Sequence, residues 1–223
     1  MIELINLTKS YKDNLVLEKL NIKLKENKIS FIMGENGVGK TTLLKCLLKL
    51  EKYKGIVLYD GKTFDEIRKS IHVIYDDSPL YLNLSGFKNI ELLSNKEINK
   101  KEIKNAALKY FSEEQLKTKV KSYSYGQRKK ISLVIAELSQ PKYLFMDEVS
   151  NGLDYETMTD LKRTLKEWSK KMTIIATGHQ FEFYAEIIDE LFIIKQGTMY
   201  ELKDFRKKGI DLGDIYTNYA KQY

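Results

Sequence analysis

Gly34-Glu35-Asn36-Gly37-Val38-Gly39-Lys40-Thr41-Thr42 is the stretch on which the reading of this chain turns. It matches the pattern G-x-x-x-x-G-K-[ST]. The residues before it, Ile29-Ser30-Phe31-Ile32-Met33, form a short apolar run suited to a buried strand. After it, Leu43, Leu44, Leu47 and Leu48 recur at helical spacing. A strand, a glycine-rich loop and a helix in that order give the context that a phosphate-binding loop needs. The glycines let backbone N–H groups turn inward around an anion, and the helix N-terminus adds its partial positive charge. Gly34, Asn36, Gly37, Gly39, Lys40, Thr41 and Thr42 are therefore the expected phosphate-binding residues. Lys40 is expected to reach the β- and γ-phosphates, and Thr41 to offer its hydroxyl to Mg²⁺. The motif implies a nucleoside-triphosphatase core and leaves the family open.

Outward from the loop, strands and helices alternate. Ile2–Leu7 and Val16–Leu24 read as strands joined by Lys12-Asp13-Asn14, an antiparallel start. Gly55–Asp60 and Ile71–Tyr75 are further strand candidates, and Gly86–Leu138 is rich in Lys, Glu and Leu with helical character. Tyr143-Leu144-Phe145-Met146 makes a buried strand that ends in Asp147-Glu148. Met158, Leu161, Leu165 and Trp168 mark one face of a helix, and Thr173–Thr177 and Leu191–Ile194 are two more strands. The pattern predicts an α/β fold. Its parts are a mostly parallel sheet covered on both faces, an N-terminal antiparallel β subdomain, and a helical subdomain inserted at about residues 76–139.

Bulk properties set the frame. A chain of 223 residues that is 43% hydrophobic can bury a substantial core, and no linker, repeat or low-complexity tract divides it, so one domain is expected. No stretch approaches the roughly 18 apolar residues that a membrane span requires. The opening Met1-Ile2-Glu3-Leu4 has no signal-peptide character, and a single cysteine, Cys46, fits a reducing compartment. A chain soluble by itself in the cytosol is expected. The net charge of +7 is spread along the chain with acids interleaved, so it decides little about partners.

Three further segments resemble the ATP-binding cassette family, in the family's order. Tyr123-Ser124-Tyr125-Gly126-Gln127 resembles the signature usually written L-S-G-G-Q. Leu144-Phe145-Met146-Asp147-Glu148 is similar to the Walker B strand end, with Asn151-Gly152-Leu153-Asp154 as the D-loop. Ile174–Gly178 followed by His179 resembles the switch-histidine segment. The resemblance covers essentially the whole chain and implies an ATP hydrolase that uses ATP and Mg²⁺. It places Asp147 on the metal, Glu148 as general base for the attacking water, and His179 on the γ-phosphate and that water. Tyr11 resembles the aromatic that stacks on adenine. The resemblance also implies a head-to-tail dimer of cassettes, alike or different, in which Ser124 and Gly126 complete the partner's ATP site.

Some positions depart from the family. Tyr125 replaces the first signature glycine, which bears on close packing at the dimer seam, and Val149 stands where proline is frequent. Asp76 occupies the usual Q-loop glutamine position. It is shorter and charged; it could still reach Mg²⁺ through a water, but when ionised it donates no hydrogen bond. His72 is read as a strand residue. The segment Leu80–Ile90 resembles the loop of exporter cassettes, and the long C-terminal regulatory domain of many sugar importers is missing from the pattern. The resemblance thus implies the motor of a transporter, with export favoured. It would work through a separate integral membrane subunit and lie peripherally on the inner face of the cell membrane, with no nucleic acid expected. Two alternatives stay open: a cassette protein acting on ribosomes or DNA, and a regulator that binds nucleotide without hydrolysing it.

Overall fold

The computed structural model describes residues 1–94, 98–205 and 211–220. Strands β1 (Ile2–Tyr11) and β2 (Asn14–Leu24) form the expected hairpin, and β4 (Lys54–Tyr59) pairs with the other edge of β1. The buried apolar side chains of β1 are Ile2, Leu4 and Leu7. The step of three between the last two breaks strict alternation. The ladder shifts register there, and Asn6 adopts a left-handed backbone (φ 52°), so a bulge returns Leu7 to the inner face.

The second sheet has the order β5-β6-β7-β3-β8-β9. Its strands are β5 (Ile71–Ile74), β6 (Tyr143–Asp147), β7 (Thr173–Thr177), β3 (Ile29–Met33), β8 (Glu190–Lys195) and β9 (Thr198–Glu201). All neighbours run parallel except β9, which folds back antiparallel on β8. Residues along β3 and β6 divide between two cores as the strand period demands. Phe31, Met33, Leu144 and Met146 face a cluster with Leu161, Leu165 and Tyr184. Ile32 and Phe145 face another with Leu43, Leu47 and the antiparallel sheet's Leu4, Leu17 and Tyr59. Both faces are thus covered, which explains why these strands read as continuous apolar runs.

The helices are α1 (Lys40–Leu47), α2 (Phe64–Ile67), α3 (Gly86–Leu93), α4 (Lys100–Ala107), α5 (Glu113–Lys117), α6 (Tyr125–Ser139), α7 (Tyr155–Trp168), α8 (Phe181–Ala185) and α9 (Leu212–Ile215). Helices α3 to α6 enclose their own apolar cluster, including Ile90, Ile103, Phe111, Val120 and Val134. The helical insert expected at 76–139 contains residues 95–97, which lie outside the described residues. Ser85, Asn99, Ser112 and Ser124 cap the N-termini of α3, α4, α5 and α6, each accepting from a backbone N–H of the first turn. Helix α6 ties the insert to the sheet: Ile131, Val134 and Ile135 pack in the helical cluster, while Leu133 and Ala136 pack against the sheet.

Candidate active site

Strands β6, β7 and β3 are consecutive neighbours, so the loops that leave their C-terminal ends meet. In an open parallel sheet this end is where ligands bind. The loop after β3 is the glycine-rich one. Gly39 caps α1 at φ 116°, a conformation that a residue with a side chain rarely adopts, and an added Cβ would lie 2.9 Å from the Val16 side chain. That closeness seats the β1–β2 hairpin beside the loop. Lys40 is buried, and its Nζ donates to the carbonyls of Gly34 (2.7 Å) and Glu35 (3.0 Å). Burial pushes its pKa down, opposed by the nearby charges of Glu148 and Asp147. The lysine is thereby folded across the loop's concavity, where a phosphate would take the place of those carbonyl contacts.

Asp147 ends β6. Its carboxylate accepts from the Thr177 hydroxyl at 2.5 Å and lies 3.4 Å from the Thr41 hydroxyl. Thr177 ends β7 and is fully buried, so it holds the carboxylate from beneath. A carboxylate beside a hydroxyl on a phosphate loop is a hard-oxygen donor set that suits Mg²⁺. When bound, that ion would be held by Asp147 and Thr41 and would neutralise phosphate charge.

Glu148 follows in a left-handed conformation (φ 54°), costly for a residue with a side chain. The chain holds it on all sides. Its N–H donates to the Thr177 carbonyl (3.2 Å), and its own carbonyl accepts from Asn151 N–H (3.1 Å) and Lys129 Nζ (2.8 Å). Its carboxylate accepts from Asn151 Nδ2 (3.0 Å) and lies 3.4 Å from His179 Nε2. His179 follows β7, whose exit is packed by Tyr184. That ring stacks on Phe31 at 4.2 Å between centroids, and its hydroxyl donates to the Thr177 carbonyl at 3.1 Å. Lys40, Thr41, Asp147, Glu148 and His179 thus converge at one end of the sheet.

The remaining expected residues are placed differently. Tyr11 ends β1 and is 41% exposed, with the Lys9 ammonium 4.2 Å from its ring centre. It lies on the hairpin that touches the phosphate loop, through Val16 of the paired strand. Ser124 and Gln127 form a capping box at the start of α6: Ser124 Oγ accepts from Gln127 N–H, and Gln127 Oε1 accepts from Ser124 N–H. Gly126 packs against the Gly152 carbonyl, 2.4 Å from where its Cβ would be. Among the described residues, no hydrogen bond links Ser124 or Gly126 to Lys40 or Glu148 of the same chain.

Asp76 faces protein groups. Its carboxylate accepts from the Tyr125 hydroxyl and, at 3.1 Å, from Lys129 Nζ. Burial pushes the Asp76 carboxyl up, but those two donors outweigh it and hold the group below the usual range. Burial likewise pushes Lys129 down against the opposing pull of Asp76. The sequence placed Asn151 and Thr177 in motif segments without assigning either a contact, and it did not single out Lys129. A threonine at a strand end and a lysine in a helix are too common to signal anything before the fold brings them to Asp147 and Glu148.

The chain matches the family model described as "ABC transporter" over residues 17–151. It is 28% identical to a lantibiotic transport ATP-binding protein, SrtF, of Streptococcus pyogenes, over 92% of this chain and 91% of that protein. It is 30% identical to a methionine import ATP-binding protein, MetN, of Francisella tularensis subsp. holarctica, over 91% of this chain and 63% of that one. Its fold is similar to that of a solved ATP-binding subunit of an ABC transporter, with a TM-score of 0.86 at 22% identity and coverage of 97% and 98% of the two chains. Among the described residues no helix is long and apolar enough to cross a membrane.

Proposed function

Because this chain belongs to the ABC transporter family, as an ATP-binding and ATP-hydrolysing subunit, we propose that it powers export of a substrate through a separate membrane subunit. One observation carries the hydrolytic reading: Lys40, Thr41, Asp147, Glu148 and His179 meet at the C-terminal ends of β3, β6 and β7. In this account the phosphate loop and Lys40 hold the triphosphate, and Asp147 and Thr41 hold Mg²⁺. Water attacks the γ-phosphorus in line and gives its proton to Glu148, the bond to the β-phosphate oxygen breaks, and ADP and phosphate result. His179 steadies the γ-phosphate and the attacking water. Two chains, alike or different, close head to tail so that Ser124 and Gly126 of each complete the other's site. Hydrolysis then depends on closure, and closure moves the membrane subunit.

The loop between β5 and α3 supports a docking surface for that subunit. Tyr81 is 55% and Leu82 45% exposed, whereas Leu80 is half-buried against the helical cluster. Fully buried Asn89 fixes this loop: it accepts from Tyr81 N–H (2.8 Å) and donates to the carbonyls of Tyr81 and Ser85 (each 3.0 Å). The apolar groups are therefore presented on a rigid turn. The likeness of Leu80–Ile90 to exporter loops supports export; the relatives' names include import, so direction rests on that loop. Tyr81→Asp is expected to leave the chain folded with its basal ATPase, and to abolish both co-isolation with an integral membrane protein and stimulation by it. In inverted membrane vesicles, ATP-driven uptake would accord with export, and its absence beside uptake by intact cells would reverse the direction. Normal assembly of the Tyr81→Asp chain would place the docking surface elsewhere.

A further inference from the structure

Lys129 is a charged residue with almost no access to water: its side chain is 1% exposed. It lies one helical turn after Tyr125 on α6, and all three of its ammonium donors are used. They go to the Glu148 carbonyl (2.8 Å), the Asp76 carboxylate (3.1 Å) and the Tyr125 hydroxyl (3.1 Å). The Tyr125 hydroxyl in turn donates to Asp76, at its carboxylate and at its carbonyl (2.7 Å). The Tyr125 ring lies over Gly152, where an added Cβ would sit 2.4 Å from the ring, so this loop accepts the aromatic only because residue 152 has no side chain. The cluster joins three segments: the loop after β5, the start of α6 and the end of β6.

A buried cation needs a counter-charge, and removing one partner of such a pair is far costlier than removing an exposed one. Asp76 supplies that charge. The third bond of Lys129 falls on the peptide of Glu148, the residue held at φ 54°. Among the described residues, Lys129 is the one side chain outside the loops after β6 and β7 that hydrogen-bonds this peptide.

We propose that Lys129 is a positioning residue for Glu148 and that Asp76 is its counter-ion. The charge at position 76 then serves the placement of the base rather than the metal. This rests on the reading of Glu148 as the base. Loss of the Lys129 bond leaves the Glu148 carbonyl held by the Asn151 N–H of its own loop and lets its strained backbone relax, which shifts a carboxylate whose placement matters to within about an ångström. Phosphate binding, which depends on the loop after β3, is untouched.

The test is steady-state ATP hydrolysis by the purified full-length chain. Lys129→Met is expected to lower kcat about 10- to 100-fold, with KM for ATP within about twofold of wild type. Lys129→Arg, which keeps the charge and the donors, is expected to restore most of the rate. Asp76→Asn is expected to lower kcat with no change in the Mg²⁺ concentration for half-maximal rate, and Lys129→Met/Asp76→Asn to be no slower than Lys129→Met alone. A simple packing role would move KM and kcat together and would not be rescued by arginine. If Lys129→Met does not fold, Asp76→Asn, which alters a half-exposed carboxylate, gives the same readout. The inference is overturned if Lys129→Met keeps kcat within twofold while Glu148→Gln stops turnover. It is also overturned if Asp76→Asn raises the Mg²⁺ requirement and recovers full rate at saturating Mg²⁺. Normal turnover in Glu148→Gln itself would instead remove the reading on which the inference stands.

Discussion

His72 gives a perturbation whose size follows from one number. The residue lies in β5, beside Leu144 of β6, and its Nε2 has no hydrogen-bond partner among the described residues. Burial holds its pKa down to about 4, against 6.5 for the unperturbed group. Because the folded pKa lies below the unfolded one, the stability this residue contributes is complete above about pH 6.5. It is lost as the pH falls from there towards 4, since the unfolded chain takes up a proton that the folded chain refuses. Linkage puts the loss at about 2 kcal/mol on going from pH 7.5 to pH 5, and at about 3 kcal/mol once the pH is below 4. His72→Gln replaces the ring by a polar group that does not titrate. Urea unfolding of both chains at the two pH values is the assay. Carboxylate titration is shared and cancels in the comparison, so wild type should lose about 2 kcal/mol more than the variant on acidification. A difference between the chains that stays constant within about 0.5 kcal/mol would refute the reasoning, because it would mean that His72 is protonated in the fold as readily as in the unfolded chain.

Lys40→Ala removes the ammonium that now bridges the loop carbonyls, and is expected to weaken ATP binding and to slow turnover by about two to three orders of magnitude, read from nucleotide titration and steady-state rates. Unchanged affinity and rate would show that this loop is not the phosphate site. Thr177→Val keeps the shape of a fully buried side chain but withdraws the donor at 2.5 Å from Asp147. It should cost about 1–3 kcal/mol of stability in denaturant unfolding and raise the Mg²⁺ concentration needed for half-maximal hydrolysis. An unaltered Mg²⁺ dependence would separate Thr177 from the metal site.

The parallel core was legible because physical necessity leaves a pattern there. Strands buried on both faces must be apolar throughout, and clustered glycines between an apolar run and leucines at helical spacing mark a strand–loop–helix, so β3, the loop to α1 and Tyr143–Asp147 could be read directly. The bulge at Asn6 was not legible, because a left-handed asparagine looks like any other until the partner strand sets the register. The segment after β5 was legible only by its likeness to an exporter loop, which does not say which of its apolar residues turn inward. The fold splits it, turning Leu80 inward and Tyr81 outward, through bonds to an asparagine eight residues on. The position of Asp76 in the chain suggested a metal, but its closest bonds are to Tyr125 and Lys129, and the partnership with Lys129 spans 53 residues. Neither residue signals the other in sequence, since a buried ion pair is a property of the packed tertiary structure.

The claim at the centre of this account is that one carboxylate, Glu148, activates water while other groups hold the nucleotide. Glu148→Gln keeps the side chain's size and its contact with Asn151 and removes only the basicity. Measured side by side, ATP binding should remain within about twofold of wild type while steady-state hydrolysis falls by about 10²–10⁴-fold, and ATP with Mg²⁺ should trap a stable dimer seen by size-exclusion chromatography with light scattering. Hydrolysis at a near-normal rate in Glu148→Gln would contradict the account at its core, whatever the behaviour of the other variants.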